Sequence, residues 1–236
     1  MAWGPLSGSS SQVITSAGAA APAYDADEIY TSRKWFEAYY LTGFSDNDPI
    51  STLEDLGSDG VDLTQTTTKR PTYKTDQSNG FPAISLDGGD SMVTPTTWAT
   101  SGDFTICQRF KVGAAALNGN MANWAENAAW THYQSGLSNH QVYSGGAANF
   151  NKGYNANTFY TTILVRDGSY LSLYVDGSVI DTVGWTANVS VRGLWGDHNG
   201  SFPMEASLIF VHAVYTQAFS SANQLAWHNG YSGVYN

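Results

Sequence analysis

Cleaving a glycosidic bond takes two carboxylates held about 5–10 Å apart across it. This chain has Glu126 in an irregular segment and Glu205 standing alone. Its five histidines, His132, His140, His198, His212 and His228, lack the short spacing of a zinc site, and no Gly-x-Ser-x-Gly elbow presents a serine nucleophile. Cys107 is the sole cysteine, so no disulfide can form within the chain. It alternates with Phe104, Ile106 and Phe110, the pattern of a packed thiol rather than a reactive one. His212 sits in an apolar run and reads as a core residue. The chain is expected not to be an enzyme.

Binding chemistry is better represented. Trp124, Trp130, Tyr133, Tyr154 and Trp195 stand in glycine- and asparagine-rich sequence, where a flat apolar ring beside amide donors suits a sugar. Together with His198 they form the candidate ligand-binding set. The same rings would equally serve as anchors of a protein interface. Asp46-Asn-Asp48, Asp87-Gly-Gly-Asp90 and Asp197-His-Asn-Gly200 gather hard oxygen ligands, so calcium is the one ion the sequence could hold. Aspartate–glycine turns need no metal, however, and no cofactor is expected.

These residues must be positioned by strands. In Asp103–Val112, Phe104, Ile106, Phe110 and Val112 share one face while Thr105, Arg109 and Lys111 share the other, which predicts a half-buried strand. Ile84 and Leu86 alternate around Ser85 before the turn at Asp87. From Thr161 to Val183, two Asp-Gly pairs separate three alternating runs and predict a three-stranded meander. Leu208–Tyr215 is almost wholly apolar, as for a strand covered on both faces. A helix is predicted from Ser220-Ser221, with capping-box spacing between Ser221 and Gln224 and a stop at Gly230; a second, short one is predicted from Asp25 through Arg33. Residues 113–155 are the least regular and the natural place for ligand loops. The fold class that follows is an all-β antiparallel sandwich with a C-terminal cap helix, and 236 residues fit one such unit.

Residues 1–32 form a separate N-terminal arm; the first 23 are almost entirely small or polar and carry no periodicity. They also lack the charged and apolar regions of a secretory signal. Ten basic against twenty acidic residues give a formal charge of −10, which repels a phosphate backbone and argues against a nucleic-acid partner. No apolar run approaches the roughly 18 residues of a membrane span, so no membrane partner is expected.

Leu53–Gln65, then Lys69–Tyr73 and Asn79–Gly88, resemble the opening of LamG-like jelly-roll modules of the concanavalin A-like lectin/glucanase superfamily. The likeness continues through Arg166–Gly177 and Tyr215–Ser220 and spans roughly residues 33–236, although Leu53 stands where a tryptophan is common. It implies two packed antiparallel sheets with glycan- or protein-binding surfaces. Hydrolases of that superfamily present an alternating Glu-x-Asp-x-Glu strand, which is missing here. The ending Tyr231-Ser-Gly-Val-Tyr-Asn236 is similar to a lyase signature, without its accompanying Arg-x-Glu-Leu and Gln-x-His elements.

Such modules also resemble surface and decoration proteins of tailed-phage virions. The leading expectation is therefore a non-catalytic capsid decoration protein, made in the host cytoplasm and docked on a capsid or other virion protein through residues 1–24. A homotrimer would match the three-fold positions of a capsid lattice. The alternative is an extracellular glycan-binding adhesion or receptor-binding module with a surface glycan as partner, and the third class is a polysaccharide hydrolase or lyase.

Overall fold

The computed structural model describes residues 34–99, 101–113, 118–122, 129–135, 140–144, 147–195 and 207–235. In chain order the strands are β1 (Lys34–Glu37), β2 (Thr52–Leu53), β3 (Leu63–Thr64), β4 (Thr72–Ser78), β5 (Phe81–Leu86), β6 (Met92–Ala99), β7 (Phe104–Val112) and β8 (Asn118–Ala122). They continue as β9 (Ala129–Ser135), β10 (His140–Ser144), β11 (Ala147–Phe150), β12 (Phe159–Asp167), β13 (Tyr170–Val175), β14 (Ser178–Gly184), β15 (Ser190–Leu194) and β16 (Ser207–Tyr215), and one helix follows, α1 (Ser221–Val234). The arm and the helix expected at Asp25–Arg33 lie outside the described residues.

The predicted meander is present as β12, β13 and β14, paired antiparallel with Thr162 opposite Val175 and Leu171 opposite Val183. Asp176 and Gly177 adopt φ of +49° and +77°, the left-handed pair a two-residue hairpin turn demands. β7 lies between β12 and β16. On its other side β16 pairs end to end with two strands, β5 along Ser207–Ile209 and β1 along Val211–Val214. With β4 on β5, these make one large antiparallel sheet of order β14-β13-β12-β7-β16-β5-β4.

Two four-stranded sheets, β15-β6-β3-β2 and β11-β10-β9-β8, pack on one face of it. Phe104, Ile106, Phe110, Leu164, Leu171 and Val214 of the large sheet meet Leu53, Leu63, Met92, Val142, Phe150 and Leu194 of the smaller ones in the sandwich core. The chain is thus the all-β antiparallel sandwich its pattern predicts. Residues 113–155, expected to be irregular, instead supply β8 to β11; alanine, asparagine and glycine hide the alternation there, while ladder bonds to neighbours still form the strands.

The opposite face of the large sheet is covered by α1, whose Trp227 and Tyr231, with the adjoining Tyr235, pack on Trp35, Phe81, Cys107, Phe210 and Ala213. This cover corrects two expectations. β7 is buried on both faces, with Thr105 and Arg109 as inaccessible as its apolar partners and only Lys111 partly exposed. The helix does not stop at Gly230 but runs to Val234, because Tyr231 and Tyr235 beyond it are seated on the sheet. Its cap is Ser220, whose hydroxyl accepts from Asn223 N at 3.3 Å, and the Gln224 amide reaches back to Phe219 O at 2.8 Å. Cys107 is fully buried and its pKa is raised by desolvation, as expected of a packed thiol. His212 is likewise a core residue, with Nδ1 2.8 Å from the Gln108 amide.

Candidate functional site

The sequence-derived aromatic set does not come together as a surface. Tyr154 is buried under Phe110 and Tyr160, and its hydroxyl lies 2.7 Å from His140 Nδ1. Trp195 is fully buried in the sandwich core at φ +62°. Both are corrected from ligand contacts to core residues: a glycine-rich neighbourhood marks a turn, and large rings beside turns fold inward when a core is available. Trp130 and Tyr133 lie in β9, in register with Tyr143 and Gln141, with side chains outside the described set. Trp124 and His198 lie outside the described residues altogether.

A different site is built where α1 leaves part of the large sheet uncovered. There a groove of about 430 Å³ is lined by Arg109, Asn157, Thr158, Phe159, Asp176, His228 and Ser232. Phe159 and Thr161 of β12 stand opposite Lys111 and Arg109 of β7 and point to the same outer face. The half-buried Phe159 ring carries Arg109 Cζ 5.4 Å and Lys111 Nζ 5.0 Å from its centroid.

Asp176 reaches the groove because the tight β13–β14 turn folds it back against β12. Its Oδ1 accepts from Thr161 N at 2.8 Å, and its own N donates to Thr161 O at 2.9 Å. Asn157 is held left-handed at φ +57° and donates its N–H to Val112 O at 2.8 Å, which leaves its side chain exposed at the rim. From above, α1 contributes His228 and Ser232, one helical turn apart. Gly177 makes the close approach feasible, since a Cβ there would lie 2.9 Å from His228 Cδ2.

Charge in the groove is set by burial. The Arg109 guanidinium donates through Nε (3.0 Å) and Nη2 to Tyr235 O and through Nη1 (3.1 Å) to Thr161 Oγ1. Desolvation lowers its pKa to about 10, opposed by nearby Asp176, so it stays cationic at neutral pH. Burial also lowers the His228 pKa, against the opposing pull of Asp176 and aided by Arg109; its Nδ1 is buried without a hydrogen-bond partner. The imidazole is therefore neutral at pH 7. A neighbouring depression of about 230 Å³, lined in part by Lys111, Ser85 and Leu208, shares Asn157 with the groove.

Other chemistry foreseen from sequence is already engaged in structure. Asp48 Oδ2 accepts from Ser45 N at 2.7 Å, Asp46 accepts from Thr75 N at 3.1 Å, and the Lys74 ammonium donates to Asn47 Oδ1. Asp87 and Asp90 accept from Gly89 N and Asp87 N, closing their own turn. Among the described residues no group of three or more His, Cys, Asp or Glu is placed to hold a metal ion. The third calcium candidate, Asp197–Gly200, lies outside them. Tyr231 and Tyr235 of the lyase-like ending are fully buried, with hydroxyls donated to Glu37 at 3.4 and 2.6 Å. No helix among the described residues is long and apolar enough to cross a membrane.

No family model matches the chain, and no curated protein matches it. Solved structures do. The binding domain of Paraclostridial Mosquitocidal Protein 1 superposes with a TM-score of 0.58 at 14% identity, over 80% of this chain and 52% of that one. The receptor-binding domain of botulinum neurotoxin type G gives 0.58 at 9% identity, over 84% and 51%. A structure of botulinum neurotoxin type C, whose passage into cells depends upon interaction with two ganglioside molecules, gives 0.56 at 10% identity, over 84% and 51%. The chain spans about half the length of these structures. Its fold is an antiparallel β-sandwich similar to that of these binding domains.

Proposed function

We propose that the protein is a non-catalytic binding module that holds a glycan in the groove between β12 and α1. The observation that carries this reading is the convergence there of a half-buried aromatic ring with an amide, a carboxylate and a hydroxyl on separate elements, from Phe159, Asn157, Asp176 and Ser232. A sugar ring presents an apolar C–H face and a rim of hydroxyls, and such a site matches both. Asp176 is the one carboxylate among the described residues lining the groove, whereas hydrolysis would require two. Support also comes from the similar solved structures, which are binding domains, one of them from a toxin that interacts with gangliosides. The working location of such a module is an extracellular or virion surface.

The test is a glycan array on the intact chain, followed by titration of any hit against Phe159→Ala and Asn157→Ala. Loss of about tenfold or more in affinity with each variant is expected, at the scale of one desolvated ring or one amide pair. Hits unaffected by both variants would move the site elsewhere.

The capsid decoration role, with docking through residues 1–24 and trimers on a lattice, is a separate reading supported by the small, polar composition of that segment. Particle attachment that survives its deletion would remove this reading without touching the groove.

A further inference from the structure

We infer that the groove, together with the neighbouring depression that Lys111 lines, selects acidic saccharides, receiving a sugar carboxylate or sulfate at Lys111 while Asp176 and Asn157 take hydroxyls of the same ligand; this deepens the glycan-binding reading and rests on it. The chain as a whole repels anions, with a formal charge of −10. Two of its ten basic residues nevertheless stand two positions apart on the outer face of β7, both against one aromatic ring.

Lys152 likewise rests on aromatic rings, its Nζ 5.3 and 5.2 Å from the Tyr154 and Tyr160 centroids, whereas three other cations are engaged by polar partners. Lys34 is bound to Asp55 at 2.9 Å, Lys74 to Asn47, and Arg166 to Ala187 O at 3.0 Å and Asn188 Oδ1 at 3.1 Å. Among the described residues the Lys111 ammonium makes no hydrogen bond or ion pair, resting only on the Phe159 ring. An ammonium carries three donors, and a partly exposed one on an aromatic face keeps them aimed outward. Arg109 lies behind it, committed to Tyr235 O and Thr161, and adds fixed positive charge rather than a contact.

The groove is therefore polarised along β12. Lys111 stands at the level of Phe159, and Asp176 at the level of Thr161, two residues or about 7 Å along the strand, the scale of one sugar ring. A neutral glycan would leave the cationic end unsatisfied, and a polyanion would place charge against Asp176. A saccharide with one anionic substituent on the ring over Phe159 satisfies both ends.

The experiment titrates the intact protein with matched oligosaccharide pairs differing only in charge: uronates against their methyl esters, sialylated against asialo forms, and sulfated against desulfated forms. Expected is binding of at least one acidic member, about tenfold tighter than its neutral counterpart, with a preference that shrinks between about 50 and 200 mM salt. Lys111→Gln should weaken the acidic member more than the neutral one, while Lys111→Arg retains the preference. Equal affinity within every pair, or a preference unmoved by Lys111→Gln, would overturn the charge selection and leave the glycan reading standing. No binding of any member at millimolar concentration would overturn both.

Discussion

The two faces of the large sheet are covered by different means. Toward the smaller sheets the core is mainly apolar, centred on Phe104, Phe110, Phe150 and Leu164, with two buried neutral polar pairs, Gln108 with His212 and His140 with Tyr154. Under α1 the packing is aromatic and laced with polar anchors. Glu37, 2% exposed, accepts from Trp35 Nε1, Tyr231 Oη and Tyr235 Oη, while Arg109 grips Tyr235 O from the other side. Beside that carboxylate, desolvation drives the Tyr235 hydroxyl far above its ordinary pKa, so it remains a donor. A polar-anchored cover can end abruptly, and the groove opens at its border with aligned donors and acceptors already at the edge.

The contrast can be tested by removing one element from each side. Phe110→Ala, which empties the contact with Tyr154 and Tyr160, should cost about 3–5 kcal/mol in urea unfolding while leaving α1 formed at equilibrium. Glu37→Ala should cost about 3 kcal/mol by stranding three donors, with Glu37→Gln recovering part of it. A Glu37→Ala penalty below about half a kcal/mol would mean that the cover is held by ring packing alone and that the two faces do not differ in kind.

Smaller effects sharpen the picture. Asp90 is 3% exposed, and burial raises its pKa to about 6 despite the amide of Asp87. Because the folded value lies above the unfolded one, its favourable contribution is complete below about pH 4 and disappears as pH rises through 6. Asp90→Asn should therefore raise stability by about 2 kcal/mol at pH 7.5 and leave it unchanged near pH 3.5, read from urea midpoints at the two pH values. Ser220→Ala, which removes the α1 cap, should cost about 1 kcal/mol and loosen the outer face first, measurable as faster amide exchange in the first turn of α1.

Local signals carried the strands whose partners are near in sequence. The Asp-Gly pairs fix β12 to β14, and the unbroken apolar run of β16 betrays a strand with both faces covered. Less was legible where the decisive partner is distant. Nothing around Gly230 announces that Tyr231 and Tyr235 will bond Glu37, 194 and 198 positions earlier, yet those bonds carry the helix past its expected stop. The groove is a harder case, since Arg109, Phe159, Asp176 and His228 come from a strand, a second strand, a turn and a helix. The available signal was Arg109 and Lys111 alternating with the apolar face of β7, two cations on one side of a strand in an acidic chain. Ring count in glycine-rich sequence pointed instead to Tyr154 and Trp195, which the core claimed.

Gly177 sets the gauge of the whole arrangement. Its missing side chain lets the β13–β14 hairpin close on His228, and a single methyl there would sit 2.9 Å from the imidazole in a backbone geometry at φ +77° that already disfavours it. The mouth of the site is thus calibrated by one hydrogen atom. Any side chain in its place would have to displace the His228 imidazole, and with it one wall of the aperture that decides which molecules fit.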